Sequence, residues 1–144
     1  MKSIHQQYIE LFMGAMGQYV PNGPTKITPE TARLRARLIM EEALETIAAL
    51  GYRPVIKNQD VNLVQRTKPN FIEVVDGCCD LSVVTIGTLS ALGVHDLDVL
   101  SEVDANNIMK IANATLRDDG KIIKAANHPK PDLAGAIRTQ NSTT

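Results

Sequence analysis

The sequence lacks tryptophan altogether, and aromatic residues make up only 3% of its 144 positions. A core without aromatic bulk has to be built from aliphatic side chains and alanine, and such a composition favours helices over sheets. Hydrophobic residues still account for 44% of the chain, which is enough for one packed core. We therefore expect one helical domain spanning residues 1–144.

Cysteine is also scarce, and the only two, Cys78 and Cys79, are neighbours in the sequence. Adjacent cysteines rarely meet the geometry of a disulfide. No signal-peptide pattern precedes them, so we expect a reducing, cytoplasmic setting in which both are small buried hydrophobic residues. The three histidines show no spacing typical of metal ligands, and we assign none of them to a metal.

Long apolar runs and an excess of one charge are missing as well. The longest run of low charge covers residues 81–94, which is too short to cross a membrane and predicts a buried helix. The net charge is −1, whereas a general nucleic-acid binder is usually basic. We therefore expect neither a membrane nor a nucleic-acid partner.

Apolar residues recur at helical spacing in four segments: residues 3–17, 28–50, 69–92 and 95–111. A short fifth helix is predicted from Asp132, and residues 140–144 read as a frayed tail. Residues 51–68 are polar and irregular; they predict a functional loop over the site, with a small hairpin as the alternative. The predicted fold is therefore all-α, with four to five helices.

The third predicted helix is apolar or small on nearly every face from Leu81 onward. A helix of this kind is buried on all sides, and a chain this short has few helices to surround it. We expect a partner subunit to complete the bundle, which makes the protein a homodimer. The sequence does not distinguish a dimer from a tetramer.

Two of these helices carry acidic residues three positions apart, Glu42 with Glu45 and Glu73 with Asp76. Residues at that spacing share a helix face, so packing the two helices together would gather four carboxylates. Two like charges about 4 Å apart repel by roughly 4 kcal/mol at an effective dielectric near 20. A divalent cation that prefers oxygen ligands, such as Mg²⁺, Mn²⁺ or Ca²⁺, would relieve that repulsion.

Two simpler interpretations compete with a metal site. The glutamates of the second helix would form a solvated face in an ordinary helix, and Glu73 and Asp76 would stabilise the positive end of the third helix dipole. We favour metal binding because both acidic pairs occur together and the first lies beside the apolar stripe of its helix.

The motif Glu41-Glu42-x-x-Glu45 followed by Glu73-x-x-Asp76 resembles the signature of the all-α nucleoside triphosphate pyrophosphohydrolases. That superfamily includes the MazG proteins, the dimeric dUTPases and phosphoribosyl-ATP pyrophosphohydrolase. The interval between the halves, residues 46–72, is similar to that of the dUTPase-like branch. The resemblance covers roughly residues 34–132 and implies a MazG-like helical bundle.

The resemblance also implies roles for individual residues. Mg²⁺, with Mn²⁺ as a substitute, would be bound by Glu42, Glu45, Glu73 and Asp76. Glu41 would hold a second ion or activate water, so that the catalytic set is Glu41, Glu42 and Glu45. The substrate would be contacted by a further set of polar residues: Asp80, Asn107, Lys110, Lys121 and Lys124. The three lysines could equally be ordinary surface residues.

The reaction that the resemblance implies is the hydrolysis of a nucleoside triphosphate to a monophosphate and pyrophosphate, with non-standard nucleotides among the candidate substrates. Bound Mg²⁺ would polarise the phosphate and activate water, and a neighbouring carboxylate would accept the proton. Phosphoribosyl-ATP is the alternative substrate. A catalytically silent helical dimer that binds metal or nucleotide is the alternative outside enzymology.

Overall fold

The computed structural model describes residues 1–58 and 60–140 of the chain. Five α-helices and two short antiparallel hairpins make up the fold. In chain order they are α1 (Ile4–Ala15), α2 (Pro29–Ala49), β1 (Tyr52–Lys57), β2 (Asp60–Gln65), α3 (Phe71–Ala91), α4 (Asp96–Lys110), β3 (Thr115–Leu116), β4 (Ile122–Ile123) and α5 (Leu133–Gln140). A single 3₁₀ turn, Ile111–Asn113, extends α4.

The helix starts follow from capping residues that the sequence shows. The Thr28 side chain accepts a hydrogen bond from the Thr31 N–H at 3.2 Å, and Pro29 occupies the first helical position of α2. The Asn70 side chain accepts from the Glu73 N–H at the start of α3. All five predicted helices are present, with ends within a few residues of those expected.

The prediction of an all-α protein is correct for most of the chain but omits the two hairpins. Within residues 51–68, β1 and β2 form the hairpin that was the weaker of our two expectations, with Tyr52 opposite Gln65 and Lys57 opposite Asp60. Its Val and Ile residues favour strands over an irregular loop. The second hairpin is only two residues long on each side, too short to leave a periodic pattern in the sequence.

The β1–β2 hairpin leaves and rejoins the helices at a single point. The Gly51 carbonyl accepts hydrogen bonds from the N–H groups of Arg66 at 2.7 Å and Thr67 at 3.2 Å. Gly51 has a φ of +90°, and a Cβ there would lie 2.4 Å from the Thr67 carbonyl oxygen. Glycine is required at this junction on both counts. The Asn70 N–H then donates to the Ala49 carbonyl at 2.9 Å, which joins the end of α2 to the start of α3.

A glycine of α3 sets its antiparallel packing against α2. A Cβ at Gly77 would lie 2.5 Å from the Thr46 Oγ1 and 3.1 Å from the Thr46 Cα, so the two helices approach closely at this point. A Cβ at Gly87 would instead meet the end of the Arg35 side chain, 3.2 Å from its Nη1, and side chains of α1. The contact at Gly77 fixes which residues of α2 and α3 face each other.

The core lies where α1 crosses α3, around Ile9, Met13, Ile86 and Ala91. Beside it Gln6, which is fully buried, satisfies three polar groups. Its Nε2 donates to the Ser90 Oγ at 3.1 Å and the Val94 carbonyl at 2.8 Å, and its Oε1 accepts from the Asp96 N–H at 2.9 Å. These bonds tie α1 to the junction between α3 and α4.

The end of the chain requires a correction. Gln140, which we placed in a frayed tail, is buried at 9% exposure because its Oε1 accepts from the His95 N–H at 2.9 Å. α5 is therefore held against the start of α4. The rest of the expected tail, residues 141–144, lies outside the described residues.

α3 is buried unevenly in the single chain. Its first turns expose Phe71 (77%) and Ile72 (69%), and Gly77 is buried against α2. The segment from Leu81 to the end of α3, which we expected to be buried, is buried or half-buried except at Thr85. Cys78 and Cys79 are exposed rather than buried in the single chain. The reason is the helix register: Gly77 faces α2, so the next two residues lie about 100° and 200° further round the helix.

Across the described part of the chain, no single helix combines the length and the apolar character needed to cross a bilayer. α3 and α4 reach that threshold only when taken together, and they are bent by 115° relative to each other.

Candidate active site

The acidic residues predicted from the sequence lie along the contact between α2 and α3. Glu42 sits one turn before Thr46, the residue that packs against Gly77. Because the helices run antiparallel, the turn of α3 that follows Gly77 brings Asp80 towards Glu42. We call the five acidic residues around this point the acidic centre: Glu41, Glu42, Glu45, Asp76 and Asp80.

Glu42 shows the electrostatic effect of this grouping. Its side chain is half-buried, and partial desolvation raises its pKa above the ordinary value for glutamate. The negative charges of Glu45, Asp80, Glu41 and Asp76, in that order, raise the pKa further. The structure therefore brings carboxylates from both helices within electrostatic reach of one another.

Glu73 occupies a more distant place. It lies one helical turn before Asp76, towards the junction where Asn70 meets Ala49. It is not among the charges that raise the pKa of Glu42. Its role as a metal ligand, which the resemblance implies, stays a prediction.

Glu41 already has a partner on its own helix. The Arg37 Nε donates to the Glu41 Oε1 at 2.8 Å, four residues apart on an exposed face of α2. This ion pair holds the Glu41 carboxylate at the edge of the acidic centre. Such an exposed pair contributes little to stability, so it can open when a ligand offers a stronger contact.

Within residues 1–58 and 60–140, no three acidic, histidine or cysteine side chains stand close enough to form a ready-made metal cluster. This arrangement is compatible with Mg²⁺, which commonly uses one or two carboxylates and completes its shell with waters and substrate phosphates. The oxygen donors of the acidic centre and the mutual repulsion at Glu42 both suit such a hard divalent cation.

The predicted lysines form a second group at the other end of the chain. Lys110, Lys121 and Lys124 line one pocket of about 480 Å³ together with Arg117. We call these four residues the basic pocket. Arg117 was not among our candidates, although its place in Arg117-Asp118-Asp119-Gly120-Lys121 marks it as part of the same turn.

Arg117 and Asp119 shape the turn that presents the basic pocket. The Arg117 guanidinium donates twice to the Asp119 carboxylate. These bonds, followed by one from the Lys121 N–H, lower the pKa of Asp119 to about 2. Gly120 supplies the positive φ of +84° that the turn needs.

Two neighbouring asparagines on α4 have different roles. The Asn107 Oδ1 accepts a hydrogen bond from the Lys110 Nζ at 2.5 Å, which connects it to the basic pocket. Asn106 is buried, and its Nδ2 donates to the Pro129 carbonyl at 3.0 Å. Asn106 therefore has a structural role.

Comparison with protein families identifies the arrangement of helices and acidic residues. The sequence model of phosphoribosyl-ATP pyrophosphohydrolase, PRA-PH, matches residues 9–107, which is more than half of the chain. The chain belongs to the PRA-PH family. No curated protein matches it in a direct sequence search.

PRA-PH falls within the MazG-like superfamily of nucleoside triphosphate pyrophosphohydrolases, which confirms the superfamily assigned from the acidic motif. It is a family of hydrolases that act on acid anhydrides. The match includes the whole acidic centre and Asn107. It ends before Lys110, so the basic pocket is a feature of this chain outside the matched region.

The acidic centre and the basic pocket are two separate groups in the single chain. No lysine or arginine is among the charges that shift the pKa of Glu42. That the acidic centre and the basic pocket bind the same triphosphate stays a prediction.

Proposed function

We propose that the protein is a Mg²⁺-dependent nucleotide pyrophosphohydrolase that converts a nucleoside triphosphate to a monophosphate and pyrophosphate. The observation that carries the proposal is the acidic centre, in which the charges of four other carboxylates from two helices raise the pKa of Glu42. Membership of the PRA-PH family supports the same class of reaction.

The metal would lie among Glu42, Glu45, Glu73 and Asp76, one or two of which would bind it directly while the others act through its coordinated waters, with Mn²⁺ as the substitute ion. When bound, Mg²⁺ supplies charge neutralisation at the phosphate oxygens and lowers the pKa of coordinated water. The repulsion at Glu42 supports this assignment because a cation placed among the carboxylates removes it.

The remaining residues would bind and orient the substrate. Glu41, which pairs with Arg37 at the edge of the acidic centre, would accept a proton from the attacking water. The lysines of the basic pocket offset the negative charge of phosphates through charge-assisted hydrogen bonds. Asp80 and Asn107 complete the proposed contacts with the nucleotide.

A second candidate substrate is phosphoribosyl-ATP, which the name of the matched family favours. Its triphosphate carries the same anhydride bond between α- and β-phosphates, so the acidic centre serves either substrate equally. The base and sugar would be chosen by contacts outside the acidic centre.

A homodimer is part of the same proposal. Phe71, Ile72 and Val75 are 77%, 69% and 47% exposed on the first turns of α3, where they alternate with Glu73 and Asp76. An apolar surface of this kind marks a protein contact, and its position beside the acidic centre favours a second copy that covers one side of the site. A cytoplasmic location, expected from the two adjacent cysteines, belongs to the proposal as well.

The test is a substrate panel. The full chain is incubated with Mg²⁺ and each common NTP and dNTP, deaminated nucleotides and phosphoribosyl-ATP, and the products are separated chromatographically. We expect pyrophosphate and a monophosphate from at least one substrate. In a Glu45→Ala variant, turnover should fall by about a hundredfold or more while the fold is kept.

Glu30→Ala is the matched control, because Glu30 is an exposed glutamate in the first turn of the same helix. It should retain full turnover. Release of inorganic phosphate with a diphosphate product would contradict the proposed bond cleavage. Nucleotide binding without turnover of any substrate would favour the non-catalytic alternative.

A further inference from the structure

Arg35 on α2 is a buried cation that the acidic centre does not use. It is only 6% exposed. Its Nη2 donates to the Gln18 Oε1 at 2.6 Å and contacts the Met13 Sδ at 3.5 Å, while its Nη1 lies against Gly87. Its Nε is buried without a hydrogen-bond partner among the described residues.

No acidic side chain in the described part of the chain forms an ion pair with Arg35. Desolvation by burial lowers its pKa, and no carboxylate acts to raise it. A buried charge with an unsatisfied donor is costly unless an opposite charge or a hydrogen-bond acceptor is supplied. Neutral partners such as Gln18 and Met13 meet that need only in part.

A cavity of about 350 Å³ lies beside this side chain. Its wall contains Arg35 and Lys26, together with Thr28 and Thr31 at the N-terminus of α2. The N-terminal end of a helix is positively polarised. In the described part of the chain, the lining holds no acidic side chain. Its polar surface is therefore suited to an anion.

We propose that this cavity binds a small oxyanion, a phosphate or carboxylate group of a diffusible ligand, with Arg35 and Lys26 as its cationic partners. The volume exceeds that of the anionic group alone, and Tyr19, Ile27 and Leu34 offer an apolar surface for an organic remainder. The site lies about 10 Å along α2 from Glu42, two turns away, and has the opposite charge. It does not depend on the proposed hydrolase activity.

The experiment uses the full chain in EDTA, so that the acidic centre carries no divalent metal, with ionic strength held constant by NaCl. Inorganic phosphate and acetate are titrated separately. Binding is followed by the Arg35 Nε–Hε signal in ¹⁵N–¹H NMR spectra and by the thermal midpoint. We expect one of the two anions to shift that signal saturably and raise the midpoint. Phosphate binding assigns a phosphate-bearing ligand, and acetate binding a carboxylate.

Variants locate the bound anion. Lys26→Gln, at an exposed position, should fold normally and weaken binding about two- to fivefold. Arg35→Gln should weaken it about tenfold or more. Lys57→Gln, an exposed lysine on β1, is the control and should bind as the unmodified protein does. The NMR signal is read in the unmodified chain, so the test remains valid even if the Arg35→Gln variant does not fold.

Three results would overturn the proposal. The Arg35 Nε–Hε signal could stay unmoved while both anions are titrated. The midpoint could rise linearly and equally for every salt, which indicates a general ionic effect. Binding could persist in Lys26→Gln and disappear in a Lys121→Gln, Lys124→Gln double variant, which would place the anion in the basic pocket instead.

Discussion

At the scale of single residues, Glu42 contributes to how the stability of the metal-free protein changes with pH. Its pKa is raised in the folded state, so the folded protein holds this proton at pH values where the unfolded chain has released it. Stability from this residue therefore decreases as the pH rises through the interval between the two pKa values, and the destabilisation is complete above the folded value.

Replacing Glu42 with glutamine should remove that destabilisation. In EDTA at pH 7, Glu42→Gln should unfold at a higher urea concentration than the unmodified protein, and the difference should vanish towards pH 4. Added Mg²⁺ should stabilise the unmodified protein and have little effect on the variant. Glu30→Gln serves as the control. A variant that is less stable than the unmodified protein at pH 7 in EDTA would show that Glu42 is not under net repulsion.

Lys124 tests whether the basic pocket serves the substrate. Removing one charge-assisted contact to a phosphate weakens binding by about tenfold or more. Lys124→Ala should therefore raise KM by about that factor in the pyrophosphate-release assay. Lys130→Ala removes an exposed lysine that is not part of the pocket and should leave KM unchanged. Equal KM values for both variants would show that the basic pocket does not bind the substrate.

The spacing of Glu42 with Glu45, and of Glu73 with Asp76, is a local property of each helix, so the helical period alone predicts that each pair shares a face. Asp80 entered the predicted site only through the family resemblance. The more distant place of Glu73 could not be predicted, because it depends on the register that Gly77 sets against Thr46. Arg117 was missed because its contact with Asp119 depends on the geometry of a turn.

At the scale of elements, the close contact between α2 and α3 is the feature most sensitive to substitution. A methyl group at Gly77 would overlap Thr46, whose backbone Cα lies only 3.1 Å from the position of the added Cβ. Gly77→Ala should lower the free energy of unfolding by about 1–3 kcal/mol, the usual cost of overpacking. It should also reduce activity by separating the two halves of the acidic centre.

Gly14 in α1 provides the matched control for this substitution. A Cβ at Gly14 would meet no atom within 4 Å. Gly14→Ala should therefore be neutral or stabilising by up to about 1 kcal/mol, since alanine favours the helix. Denaturant titration of both variants gives the comparison. Equal free energies of unfolding for Gly77→Ala and the unmodified protein would mean that α2 and α3 can move apart without loss of stability.

The apolar stripe predicted for α2 does not identify which residues of that helix are buried. Leu34 and Leu44, which belong to that stripe, are each 42% exposed, whereas Arg35 and Thr46 are buried at 6%. The face that meets α3 is chosen by small residues on the opposing helix and by polar contacts to α1. Neither feature is visible in the periodicity of α2 alone.

At the scale of the whole molecule, the balance of buried and exposed hydrophobic residues indicates association. Among the described residues only seven hydrophobic side chains are buried, while many large ones stay exposed on α1, α3 and α4. A single chain of this kind has a small core for its length. The expectation of a partner copy came from α3, and its exposed first turns are the surface where that expectation can be tested.

Ile72→Asp should disrupt the proposed dimer, because a charge at this position would be buried against the second copy without a partner. Size-exclusion chromatography with light scattering should show a dimer for the unmodified protein and a monomer for the variant. Leu116→Asp is the control, since Leu116 is 72% exposed on β3. A monomeric unmodified protein at micromolar concentration would contradict the proposal, as would equal dissociation in both variants.

The junction at Gly51 has a consequence for how relatives of this protein are recognised. The β1–β2 hairpin leaves and rejoins the helices at one point. The number of residues between the two acidic pairs therefore does not determine how far apart the pairs lie in space. A motif search with a fixed interval would therefore discard relatives whose hairpin is shorter or longer. Anchoring the search on the residues equivalent to Ala49 and Asn70 would retain them, whatever the interval between.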